Sequence, residues 1–160
     1  MLGKTLLATV LVVAALPADA GTGTEMNFKG FLFEPTCKFN GGKTIDIDFD
    51  RVGIKRVDGV KYARTTTVSL SCRPSEGKKL MLQIQGNVVS GTSNVLDTNV
   101  PNLGIAFRDS QGTSLALNRF FNVQSDTAFS LISVPVKKDV GLPLEVGEFS
   151  AVATLVSSYF

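Results

Sequence analysis

The 160-residue sequence predicts an all-β fold of the sandwich type. Three observations carry the expectation. Apolar residues beyond position 20 recur with a period of two, glycine-bearing turns separate the runs, and helical periodicity is weak. Successive strand residues face opposite sides, so a period-two run marks a strand with one buried face. Many short strands between tight turns point to two packed sheets.

Residues 1–20 read as a removable export signal. Lys4 supplies a positive start, Leu6 to Leu16 forms an apolar run, and Ala18-Asp19-Ala20 places small residues where a signal peptidase reads. The run is too short to cross about 30 Å of hydrocarbon as an anchor. Cleavage before Gly21 leaves about 140 residues, enough for one domain with its own core. The formal charge of +2 is too small to suggest a nucleic acid or a membrane surface as partner.

Residues 21–31 follow. In an extended chain Thr22, Thr24, Met26, Phe28 and Gly30 share one side, and Glu25, Asn27 and Lys29 share the other. This is either the first strand of the chain's own sandwich or a segment offered to another sheet. Further strands are expected at Thr44–Asp50, Thr65–Cys72, Leu80–Gln85, Leu103–Arg108, Thr113–Leu117 and Phe129–Val134. Asn40-Gly41-Gly42, Asp58-Gly59, Glu76-Gly77, Ser110-Gln111-Gly112 and Val140-Gly141 supply the turns. The signal over 87–102 is poor and allows a short helix or turn. Cys37 and Cys72 are the two cysteines, and an even count in an exported chain favours one disulfide over two buried thiols.

The last expected strand, Phe149–Phe160, is apolar on both faces. Phe149, Ala151, Ala153, Leu155, Ser157 and Tyr159 share one side; Val152, Thr154 and Val156 share the other. Such a strand belongs inside a sheet pair or beside something that covers it. Either it is already paired on both sides or its cover comes from elsewhere.

Chemistry is sparse. The sequence has no histidine, which removes Ser-His and Cys-His nucleophile pairs and the commonest metal ligand. Asp46, Asp48 and Asp50 lie on one strand face, but Arg51 stands where a calcium loop needs glycine, so a solvated face is expected. Gly21-Thr22-Gly23 lacks the third glycine of a dinucleotide loop, and Glu76-Gly77-Lys78-Lys79 is a charged turn rather than a phosphate loop. Nothing singles out a carboxylate pair for glycoside cleavage. No catalytic residue, metal, cofactor or small-molecule substrate is expected, and the chain does not read as an enzyme.

The segments MNFKGFLFEPTCKFN, TTTVSLSC, NVLDTNVPNLGIAFRDSQGTSLALN and FSLISVPV resemble chaperone–usher pilins. So does the C-terminus, with its penultimate Tyr159 and Gly147 fourteenth from the end. The resemblance spans the mature chain and is closest to the minor tip-adaptor subunits of P-type pili. It implies an incomplete immunoglobulin-like β-sandwich that lacks its final strand. A groove beside the C-terminal strand would be filled first by a periplasmic pilus chaperone and then, after passage through an outer-membrane usher, by the N-terminal extension of a neighbouring pilin subunit. It implies a donor strand at 21–31 with Thr24, Met26, Phe28 and Gly30 facing the neighbour, and a body at 32–160. Gly147, Phe149, Leu155 and Tyr159 would lie along the chain's own groove, and the Phe160 carboxylate would meet basic chaperone residues. Cys37 and Cys72 would form the family disulfide. The chain would be exported through the periplasm to a fimbria on the bacterial surface, contributing to cell adhesion. A major rod subunit, a terminating subunit and a self-sufficient secreted binding module are the alternatives. The last is poorly supplied for contacts, with no Trp and only two Tyr.

Overall fold

Arg64–Cys72 illustrates how the sequence makes strands. Thr66, Val68, Leu70 and Cys72 turn inward while Thr65, Thr67, Ser69 and Ser71 are exposed, and β-branched residues suit such a half-buried pleat. In this computed structural model, residues 26–31, 37–73, 77–123 and 127–160 are described. They contain eight strands: β1 Cys37–Phe39, β2 Arg64–Cys72, β3 Leu80–Gln85, β4 Val95–Asp97, β5 Leu103–Arg108, β6 Phe120–Asn122, β7 Ala128–Lys137 and β8 Thr154–Tyr159. Two short 3-10 turns, Asn40–Gly42 and Ile54–Arg56, are the helical elements among them. The chain divides into two units, Met1–Leu32 and Phe33–Phe160. In the first, residues 26–31 have no regular secondary structure, and Met26, Phe28 and Phe31 are 71%, 86% and 87% exposed. Residues 1–20 and Thr24, to which the sequence assigns a signal and a donor position, lie outside the described residues.

The second unit is a sandwich of antiparallel sheets. One has the order β1-β2-β7-β5-β4 and the other β6-β3-β8. Their facing sides make one apolar core, with Val68 and Leu70 from β2, Ile105 and Phe107 from β5, and Leu82 and Ile84 from β3. A smaller cluster of Val57, Val100, Leu103 and Leu144 lies at one end. Burying these chains supplies roughly 1.5–3 kcal/mol apiece. Gly104 of β5 is sterically required: a Cβ there would run into Val95 and crowd the Leu96 carbonyl. Pro135 falls where β7 has outrun β2, whose last partner is Ser133, so only β5 flanks it. A proline there removes no bond from a doubly paired position. Cys37 and Cys72 are direct cross-strand partners and form a disulfide.

Several expectations change. Thr44–Asp50 shows the expected alternation, with Ile45, Ile47 and Phe49 inward and the three aspartates exposed, yet it is no strand because no neighbour among the described residues pairs with it. Side-chain periodicity reports faces; it does not report hydrogen-bond partners. Thr113–Leu117 makes a single bridge, Arg108 to Ser114. Its Leu115 and Leu117 are buried, but the chain is crossing between sheets: Leu117 N bonds Ser93 O and Asn118 N bonds Ile84 O, each at 2.8 Å. The C-terminal strand starts at Thr154 rather than Phe149. It is not preceded by a stretch apolar on both buried faces, since Val152 is 86% exposed. The segment 87–102 holds β4 in place of a helix, and β1, β4 and β6, three residues each, are too short for periodicity to register.

Candidate functional site: a cleft beside the C-terminal strand

β8 pairs along one edge with β3, from Leu80↔Tyr159 to Gln85↔Thr154. It is the last strand of its sheet, so its other edge has no strand partner among the described residues. The ladder continues one residue further, where Lys79 and Phe160 exchange backbone hydrogen bonds of 2.8 and 3.0 Å. An unpaired edge presents a row of open N–H and C=O groups.

Beside this edge and the residues leading into it lies a cleft of about 800 Å³. One wall is Ile45–Val52 and the other is Glu145–Ala153 with Leu155. Core side chains form the floor, among them Val68, Ile84, Leu96, Ile105 and Leu131. The cleft therefore opens onto the interior of the sandwich. Among the described residues, 44–52 make no backbone–backbone hydrogen bond, and within 145–153 only Ser150 does so, its carbonyl accepting from Asn99 N at 3.2 Å. Both walls thus carry main-chain polar groups that a segment lying between them would satisfy.

The walls are held by side chains. Arg64 at the head of β2 donates from Nε to Asp48 O at 3.1 Å and from its guanidinium to Phe49 O at 3.4 Å. Opposite, Asn99 accepts from Ser150 N at 2.6 Å and donates to Glu148 O at 3.3 Å. Asn102 donates to the carbonyls of Asp139 and Leu142 at 2.9 and 3.0 Å, fixing the loop before the second wall. None of these three was apparent in the sequence, because a side chain that caps distant carbonyls leaves no local pattern. One ring pair spans the cleft: Phe49 and Phe149, from opposite walls, lie 5.8 Å apart at 36°.

Gly147, Phe149 and Leu155 line the cleft. Gly147 has open space where a Cβ would project, so its lack of a side chain keeps the cleft wide rather than relieving a clash in the body. Tyr159 and Phe160 are not among the lining residues. Tyr159 donates to Arg73 O at 2.7 Å and its hydroxyl lies 3.7 Å from Cys37 Sγ, which ties the penultimate residue to the disulfide end. The Phe160 ring packs edge-on against Phe120 at 5.1 Å. Gly30, Met26 and Phe28 belong to the first unit, and Gly30 has nothing within 4 Å of a notional Cβ. Among the described residues the cleft rim carries five carboxylates, Asp46, Asp48, Asp50, Glu145 and Glu148, and one cation, Arg51. Among the described residues no group of three or more acids or cysteines is placed to hold a metal ion.

A family model described as "Fimbrial protein" matches residues 26–159. The fimbrial adapter PapF of Escherichia coli is 30% identical over 165 residues, which covers 96% of this chain and 95% of that protein. The minor fimbrial protein PrsF, also of Escherichia coli, matches with the same identity and coverage. Among solved structures, that of the P pilus adaptor subunit PapF superimposes with a TM-score of 0.61 at 31% identity, covering 78% of this chain and 95% of that one. The sandwich with an open edge is the incomplete immunoglobulin-like fold of pilin subunits. The chain belongs to the fimbrial protein family and is a pilus subunit.

Proposed function

We propose that this subunit joins its neighbours by β-strand addition and serves as a minor adaptor near the tip of a chaperone–usher fimbria. The observation that carries the reading is the free edge of β8 beside a cleft that reaches the core. A strand laid there would exchange main-chain hydrogen bonds with the walls and place alternate side chains on the floor. Until it is filled, apolar surface stays in water at a cost of roughly 25 cal/mol per Å². Normal net stability is about 5–15 kcal/mol, so an empty cleft makes the lone subunit depend on a periplasmic chaperone. The adaptor position is supported by the likeness to PapF and PrsF over nearly the whole chain.

In this reading residues 1–20 direct export and are removed, and 21–31 form the donor segment. Thr24, Met26, Phe28 and Gly30 face the groove of a neighbouring subunit. Gly147, Phe149 and Leu155 contact the strand received, while Tyr159 and Phe160 hold the end of β8 where the chaperone engages the terminal carboxylate. The usher passes the subunit to a fimbria on the cell surface, and the role is structural, with no reaction catalysed.

Deleting residues 21–30 tests this. The truncated protein should still co-purify with a pilus chaperone but fail to enter fibres behind its predecessor. Normal assembly of the truncated subunit would overturn the reading, as would a stable chaperone-free monomer whose cleft is filled by its own chain.

A further inference from the structure

The two walls of the cleft differ from its floor in charge, and this bears on which strand it takes. Asp46, Asp48 and Asp50 alternate with the inward Ile45, Ile47 and Phe49, so the carboxylates point outward along one wall. Glu145 and Glu148 are exposed on the other. Among the described residues none of the five is in an ion pair. Among the described residues Arg51 is the one cation lining the cleft, and Arg64 reaches the first wall only to bond its carbonyls. A strand between the walls turns alternate side chains outward, into the same layer as these carboxylates, where directly opposite residues come within about 5 Å.

The floor carries an independent signal. Ser133 of β7 lines the cleft and is 1% exposed, and its Oγ has no hydrogen-bond partner among the described residues. It stands on the core face two residues beyond Leu131 and opposite Phe107 of β5, both members of the main apolar cluster. A buried hydroxyl without a partner is destabilising, and an incoming polar side chain would relieve it.

Resting on the strand-addition reading, we propose that the cleft is built for a strand of particular chemistry. Its outward row is rich in lysine or arginine, and its inward row is apolar except for one hydrogen-bonding side chain that meets Ser133. A second copy of this chain is a poor donor. The outward row of its own segment is Glu25, Asn27 and Lys29, whose charges cancel, so the rim discriminates against self-insertion.

The test uses the exported full chain, refolded from urea with twelve-residue peptides of alternating pattern. Three peptides share a valine inward row and carry lysine, serine or glutamate outward; a fourth is this chain's own segment 21–32. At low salt the lysine peptide should bind roughly tenfold more tightly than the serine peptide and than the charge-balanced native segment, with the glutamate peptide weaker still. In about 1 M NaCl the differences among the three valine-row peptides should shrink to under about threefold, because charges there are screened within about 3 Å. Threonine is then placed at each inward position in turn. It should be tolerated at one position only, and Ser133→Ala should abolish that exception. Equal binding of the charged peptides would overturn the proposal while leaving strand addition standing. Failure of every peptide to bind or to raise the urea midpoint would overturn strand addition itself, and this inference with it.

Discussion

Replacing Phe149 by alanine should weaken the body of this subunit more than its half-buried position on a wall suggests. The ring packs against both apolar clusters and meets Phe49 across the cleft at 5.8 Å. Truncating a fully buried phenylalanine costs about 3–5 kcal/mol. Half-burial scales this to about 2 kcal/mol, and losing a favourable ring pair adds about 0.5–1 kcal/mol. The expected loss of about 2–3 kcal/mol corresponds to a fall of roughly 8–12 °C in Tm for a domain of this size. The control is Val152→Ala three residues on, at an 86% exposed site, where a change within about 0.5 kcal/mol is expected. Urea unfolding of the two variants beside the parent protein, with intrinsic tyrosine fluorescence and circular dichroism as probes, reads both values. If Phe149→Ala and Val152→Ala cost the same, the rings do not bridge the walls and the packing argument fails.

Removing the disulfide by Cys37→Ala with Cys72→Ala should cost about 3–4 kcal/mol, the chain-entropy value for a loop of about 36 residues, and the midpoint of the variant should no longer respond to reductant. A midpoint equal to that of the parent under oxidising conditions would refute this. Asn99→Ala removes two side-chain hydrogen bonds from the second wall and should cost about 1 kcal/mol, with faster hydrogen exchange at Ser150 N as its local signature. Unchanged exchange at that amide would show that Asn99 does not hold the wall. Stability should also fall in acid. The hydrogen bond and charge of Lys138 hold the Asp97 carboxyl below its ordinary value of 3.8, and the amides of Lys61 and Val60 do the same for Asp58. Both folded-state values are depressed, so their contribution is fully present above the unfolded value and is lost as pH falls through the folded one. The urea midpoint should be flat from about pH 5 to 7 and drop below about pH 4. Asp97→Asn should flatten part of that slope, by less than about 1 kcal/mol because the pair is partly exposed. An acid limb identical in the variant would refute the assignment.

Much of this protein is written in local pattern. The inward faces of Arg64–Cys72 and Leu80–Gln85 follow directly from alternation, because the period of a strand is a property of the backbone and needs no partner. The same holds for the alternation through Ile45, Ile47 and Phe49. Residues 26–31 and 147–159 likewise carry their character in sequence, which is why the family is legible at the two ends. Whether an alternating segment is paired was decided by tertiary structure alone. Thr44–Asp50 and Phe149–Ala153 have the faces of strands and, among the described residues, no ladder, since a hydrogen-bond partner is contributed by distant chain. The grip of Arg64 and Asn99 on the walls, the meeting of Phe49 with Phe149, and the stranded hydroxyl of Ser133 are contacts between residues far apart in sequence. Local periodicity determines which side of a segment is apolar; only the folded sheets determine which edge remains open.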